Sequence, residues 1–143
     1  MSCARDIGSE EIIRILKSPE AVKVFEEQGA LAAYLYGSAA QVDVHVAVAF
    51  KKSIEECERA DRRTCVAGAL KGLLQRDDVE VVCLDEDSPV LAFEVLKVPV
   101  VVFKANEHEV AEFEVKAMSM YYDWVEHCRV MSTLASGDEH EYR

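Results

Sequence analysis

Hydrophobic positions change their period several times along this chain, and each change marks an element. From Leu31 to Tyr36 they run without interruption, as in a strand buried on both faces. Gly37-Ser38 breaks the run: Gly tolerates backbone angles that other residues avoid, and Ser can bond the amides that follow. Val42, Val44, Val46, Val48 and Phe50 then recur at period two and share one face of a strand. Asp43, His45, Ala47 and Ala49 share the other face. The connection from Gly37 to Gln41 is too short for a crossover helix, so the two strands are expected to be antiparallel neighbours.

Helical spacing accounts for most of the rest. Ser9 can cap a first helix with Glu10 and Glu11 in its first turn and Ile12, Ile13 and Leu16 on its buried side. Ser18-Pro19-Glu20 opens a second, which carries Val22, Val24 and Phe25 and ends at Gly29. Ser53-Ile54-Glu55-Glu56 has the form of a capping box. Behind it Ile54, Cys57, Cys65, Ala69, Leu70, Leu73 and Leu74 keep helical spacing to about Gln75. Asp61 falls on that stripe, either at its wet edge or paired with a cation such as Arg62 or Arg63. Asp77-Asp78 reads as a turn and Val79 to Leu84 as a third strand. Ser88-Pro89 opens a short helix to Leu96, and Pro99 to Phe103 is a fourth strand with Pro99 at its start or at an edge.

Asn106-Glu107-His108-Glu109 is a further capping box. It begins the longest amphipathic helix, with Val110, Phe113, Ala117, Tyr121, Trp124 and Cys128 in one stripe and Met118, Tyr122 and Val125 in a second. An apolar arc this wide either lies in the core or docks on another chain. The order of elements predicts an α+β, or mixed α/β, fold: about four strands in a small mixed sheet with helices packed on it. A single domain over residues 1–143 is expected, with a core from about 9 to 131 and flexible ends.

Half of the 143 residues are hydrophobic, which argues against disorder. There are 27 acidic and 16 basic residues, a formal net charge of −11. That disfavours direct nucleic-acid binding, which needs clustered cations, and suits a basic protein partner or plain solubility. Cys3, Cys57, Cys65, Cys83 and Cys128 are odd in number with no C-x-x-C spacing, so reduced thiols in a cytoplasmic protein are expected, with Cys57 and Cys65 in the core. No apolar run approaches the roughly 20 residues of a membrane span, and the N-terminus carries no apolar signal core.

Leu35-Tyr-Gly-Ser-Ala-Ala40 followed by Asp43-Val-His-Val-Ala-Val48 resembles the minimal nucleotidyltransferase (MNT) family, of polymerase β-like fold. That family carries an apolar strand, a Gly-Ser turn, a polar loop and a strand with two acids two residues apart. Val79-Glu-Val-Val-Cys-Leu-Asp85 is similar to its third-acid strand, and the segments 88–97, 100–103 and 107–123 are similar to its following helix, strand and terminal helix. The resemblance spans roughly residues 9–131. It implies a site in which Asp43 and Glu80 are catalytic, Asp43, His45 and Glu80 surround a metal, and Gly37 and Ser38 meet phosphates. The cofactors it implies for an active member are Mg²⁺ and ATP.

This chain departs from the pattern in three places. His45 stands where the second acid belongs, Glu80 stands at the third, and the loop before Asp43 is short. An imidazole is a poor magnesium ligand and brings no negative charge. The resemblance therefore implies a degenerate nucleotidyltransferase that serves as antitoxin, binding a HEPN-domain ribonuclease. Two alternatives stay open: an active enzyme that transfers AMP from ATP to a protein tyrosine or other acceptor, and a homo-oligomeric structural protein. Read from the residues alone, Gly37-Ser38 is a turn, Asp43 and His45 a polar strand face, and Glu80 an edge residue.

Overall fold

The computed structural model describes residues 9–36, 44–84, 89–97 and 100–136. Its elements in chain order are α1 (Ser9–Leu16), α2 (Pro19–Glu27), β1 (Ala30–Tyr36), β2 (Val44–Phe50), α3 (Glu56–Leu74), β3 (Val79–Cys83), α4 (Pro89–Lys97), β4 (Val100–Lys104) and α5 (Glu107–Ser136). The four strands form one sheet in the order β3-β2-β1-β4. β1 is antiparallel to both β2 and β4, and β2 is parallel to β3. The sheet is therefore mixed, and the parallel pair is joined by α3 as a crossover.

The period-two strand fixes the layers. Val44, Val46, Val48 and Phe50 enter one core with Ile12 and Leu16 of α1, Phe25 of α2, and Val66, Leu70 and Leu74 of α3. Ala47 and Ala49 enter a second core with Tyr34 of β1, Ala92 and Val95 of α4, and Val110 and Ala117 of α5. The small side chains of β2 on that face leave room for α4 and α5 to sit close. In β1 the register against β2 shifts between Ala30 and Ala32, which turns both Leu31 and Ala32 toward the second core.

Several local expectations hold. Ser18 caps α2 by accepting a bond from the Ala21 amide at 3.3 Å, with Pro19 behind it. Gly29 follows α2 with φ 79°, in the left-handed region that favours glycine, and its missing Cβ leaves space for Ile54. Asn106 Oδ1 accepts from the Glu109 amide at 2.9 Å, which opens α5 as the capping box predicts. β4 lies at an edge of the sheet, while Pro99 and Ser88 lie outside the described residues.

Two expectations fail. The capping box at Ser53–Glu56 does not form: α3 begins at Glu56, with Glu55 at the N-cap and no side-chain cap bond. Residues 51–54 instead make a turn closed by the Ile54 amide on the Lys51 carbonyl at 3.0 Å, which buries Ile54 beneath Gly29. Burial of that side chain outweighs one capping bond. Cys57 and Cys65 are exposed, not in the core. The buried line of α3 is Val66, Leu70 and Leu74, which removes more apolar area from water than the phase carrying the two thiols would. Asp61, on the phase of the thiols, is exposed as well.

Candidate functional site

Three side chains of the α4/α5 face line up across the sheet at the end where β2 begins. His45 is the Cα partner of Glu80 in the parallel β2–β3 pair and of Tyr36 in the antiparallel β1–β2 pair. Partners directly opposite put their side chains on the same face, so the row Tyr36–His45–Glu80 follows from register alone. Nδ1 of His45 lies 3.3 Å from Oε1 of Glu80. The His45 side chain is 19% exposed and that of Glu80 68%, so the imidazole sits in the sheet and the carboxylate reaches into water. The rings of Tyr36 and His45 lie 5.5 Å apart and tilted by 58°. Burial first, and the Glu80 charge second, raise the Tyr36 hydroxyl above its ordinary pKa.

Next along the same face, Tyr34 is fully buried and its hydroxyl donates to Glu114 of α5 at 2.6 Å. Burial, then this bond, hold that hydroxyl protonated far above the usual tyrosine range. The bond ties α5 to the strand that ends at the site. On the other side, Arg76 grips Asp78 through Nε at 2.5 Å and Nη2 at 2.7 Å. The Arg76 bonds hold the Asp78 carboxyl below its ordinary pKa, and the Asp78 carbonyl accepts the Val44 amide at 2.9 Å. The first residue of β2 is thus anchored by the turn that precedes β3.

Of the site residues expected from sequence, His45 and Glu80 come together. Asp43, Gly37 and Ser38 lie outside the described residues. Among the described residues no group of three His, Cys, Asp or Glu side chains is placed to hold a metal ion. Tyr36 was not singled out from sequence, although the spacing of Tyr34 and Tyr36 at period two signals that they share a face.

The family Polymerase beta, Nucleotidyltransferase matches residues 10–108, which takes in everything from α1 to the start of α5. The chain belongs to this nucleotidyltransferase family. Known folds agree. A chain from the structure of a tri-AMPylated Shewanella oneidensis HEPN toxin in complex with MNT antitoxin is 22% identical, at TM-score 0.61, over 84% of this chain and 97% of that one. A chain from the toxin–antitoxin MntA-HepT structure is 22% identical at TM-score 0.59, with the same coverage. A third, from a toxin–antitoxin structure with AMP-PNP, is 22% identical at TM-score 0.59, over 81% of this chain and 96% of that one. No curated protein matches. Among the described residues no helix is long and apolar enough to cross a membrane.

Proposed function

We propose that this nucleotidyltransferase-family chain is an antitoxin that works in the cytoplasm by binding a HEPN-type ribonuclease, with a transferase centre too poor in carboxylates for turnover. The observation that carries this reading is His45 opposite Glu80, with its imidazole 3.3 Å from the carboxylate. Phosphoryl chemistry on ATP needs hard oxygen ligands that hold divalent cations and neutralise the charge developing on the phosphates. Here one of the two described donors is a nitrogen, and the other is a single solvent-facing carboxylate. That pair does not fit a magnesium cage. Were a cation and triphosphate to bind, Asp43 and Glu80 would be the residues to hold the metal and Gly37-Ser38 those to meet the phosphates.

The partner is supported by the structural neighbours, one from a complex of a HEPN toxin with MNT antitoxin and one from the toxin–antitoxin MntA-HepT. The −11 charge of this chain favours encounter with a cationic protein. The test is co-expression with a HEPN-type ribonuclease from the same genome, followed by ribonuclease and radiolabelled-ATP assays. A stable complex with suppressed ribonuclease activity and no transferred label is expected. Failure to bind that protein would remove the reading. A second reading, AMP transfer to a tyrosine or other acceptor, draws on the neighbour solved with AMP-PNP. It requires label transfer in magnesium or manganese that Asp43→Ala abolishes.

A further inference from the structure

Glu114 stands apart from other acids of α5. Glu107 pairs with Lys104, Glu112 with His108 and Glu126 with Arg129, each three or four residues away. At the same offsets from Glu114 stand Val110, Ala111, Ala117 and Met118, all apolar. Lys116 is two residues on, a spacing at which helical side chains do not meet. Lys97, at the end of α4, is taken by Glu94 at 3.0 Å and lies 5.9 Å from the centre of the Phe93 ring. Among the described residues Glu114 makes no ion pair, and its side-chain partner is a neutral group, the Tyr34 hydroxyl at 2.6 Å.

Yet this carboxylate is half-buried, in the wall of a cleft of about 440 Å³ between α4 and α5. Leu96, Ala111, Val115, Met118 and the Tyr122 ring form most of the remaining lining. Removing a charge from water without an opposite charge beside it is costly, so an apolar cleft around an unpaired carboxylate is a site short of a cation. The carboxylate has room for one: when ionised it accepts at about four lone-pair positions, and Tyr34 takes one. The rim is open, with Val115 67% and Tyr122 59% exposed, so the cation can come from outside the chain.

We propose that this cleft is a socket for an arginine side chain of a protein partner, with the guanidinium on Glu114, the stem along Leu96, Val115 and Met118, and the guanidinium plane against Tyr122. Arginine suits these walls better than lysine. Its guanidinium is weakly hydrated, forks onto a carboxylate and stacks on an aromatic ring, whereas an ammonium is a strongly hydrated point charge. That a HEPN-type ribonuclease supplies the arginine rests on the antitoxin reading; the socket itself does not. The placement agrees with that partner. Tyr34, beneath Glu114, precedes Tyr36 by two residues on the same face of β1, about 7 Å along the strand, so a protein facing the Tyr36–His45–Glu80 row has the cleft within reach.

Two measurements on the full chain test this. The first is a titration with N-acetyl-arginine amide at matched ionic strength, read from the methionine methyl signals in NMR. The Met118 signal is expected to shift and saturate with a dissociation constant of roughly 10–100 mM, while that of Met120, outside the cleft lining, stays in place. The uncharged citrulline analogue does not move Met118, and Glu114→Gln, which keeps an oxygen for Tyr34, abolishes the arginine response. A Met118 signal that ignores arginine, or answers citrulline equally, overturns the proposal. The second is calorimetry with the HEPN-type ribonuclease. Glu114→Gln raises the dissociation constant about thirtyfold or more, while Glu112→Gln, an exposed carboxylate paired with His108, changes it by less than about threefold. Equal binding of the parent and Glu114→Gln overturns the socket as the contact. A ribonuclease that binds none of these proteins removes the antitoxin reading instead, and the arginine titration then decides the socket by itself.

Discussion

Replacing His45 by Asp tests what the strand pair can do for a metal. The substitution removes the imidazole 3.3 Å from Glu80 and sets a carboxylate there instead. Directly opposed Cβ atoms on neighbouring strands stand about 5 Å apart, and the shorter side chain keeps the two acids at roughly 4–5 Å. Glu80 is 68% exposed, so screening close to that of water applies. Coulomb's law then gives about 1 kcal/mol of repulsion, within the range known for like charges opposed across a sheet. For a chain of this length that lowers the melting temperature by about 3–5 °C in metal-free buffer. By its spacing in sequence, His45→Asp restores the second of the two acids that the family resemblance expects after Asp43. At a free manganese concentration about a hundred times its dissociation constant, binding returns about 2.7 kcal/mol, more than the repulsion removed. Differential scanning fluorimetry of both proteins in chelator and in millimolar manganese reads each step. The expected pattern is a loss in chelator and a gain in manganese for His45→Asp, with a shift under about 1 °C for the parent in either. Equal melting curves in chelator would mean that the two side chains do not share a site, and equal manganese responses would mean that His45 does not limit metal binding.

Two other substitutions probe the frame around the site. Gly29→Ala asks for a left-handed backbone at φ 79° and brings a Cβ to 2.7 Å from Cδ1 of Ile54, so a loss of about 2–4 kcal/mol in urea unfolding is expected. In an Ile54→Ala background, which removes the crowding atoms, the cost falls to about 1–2 kcal/mol; an unchanged cost would rule out crowding as a cause. Tyr34→Phe strips the buried donor from Glu114 and costs about 1–3 kcal/mol at pH 7 while the ring still packs. The folded protein holds this hydroxyl above its ordinary pKa, so its stabilisation is complete below about pH 10 and is lost as pH rises beyond. The gap between parent and Tyr34→Phe therefore narrows in alkaline urea titrations, and a gap that widens above pH 10 would contradict that sign.

Much of the architecture could be read from β2 alone. Alternating Val against Ala-His residues states which face takes bulky neighbours and which admits close helices, and both cores follow that division. The phase of α3 was not legible, because Cys and Ala are indifferent between core and surface while Val66 was given no weight beside them. Only three-dimensional competition for buried area separates those two phases. Register was not legible either. The spacing in sequence places Glu80 on a strand, but nothing in it says that the strand runs parallel to β2 with Glu80 beside His45. That part of the site came from the family resemblance. Tyr36 escaped notice because it ends an apolar run, and its partnership with His45 exists only once β1 and β2 are paired.

The residues that escape prediction are those whose role is set by a neighbour distant in sequence, and α5 shows the same rule in reverse. Its stripe is legible throughout, since spacing of three and four continues from Val110 past Cys128. What sequence cannot say is where the chain's own domain stops covering that stripe. The end falls at Tyr121 because α4 closes at Lys97 and Phe93 is the side chain that meets Tyr121 there. Beyond it only Tyr122, edge-on to Phe93, and Trp124, beside Tyr121, keep ring contacts among the described residues, while Met131 and Leu134 stand exposed. The His45–Glu80 pair and the exposed part of α5 are separate features of the fold. Substitutions at His45 and Glu80 should accordingly alter the response to manganese while those at Met131 and Leu134, exposed on the far part of α5, leave it unchanged in the same melting assay.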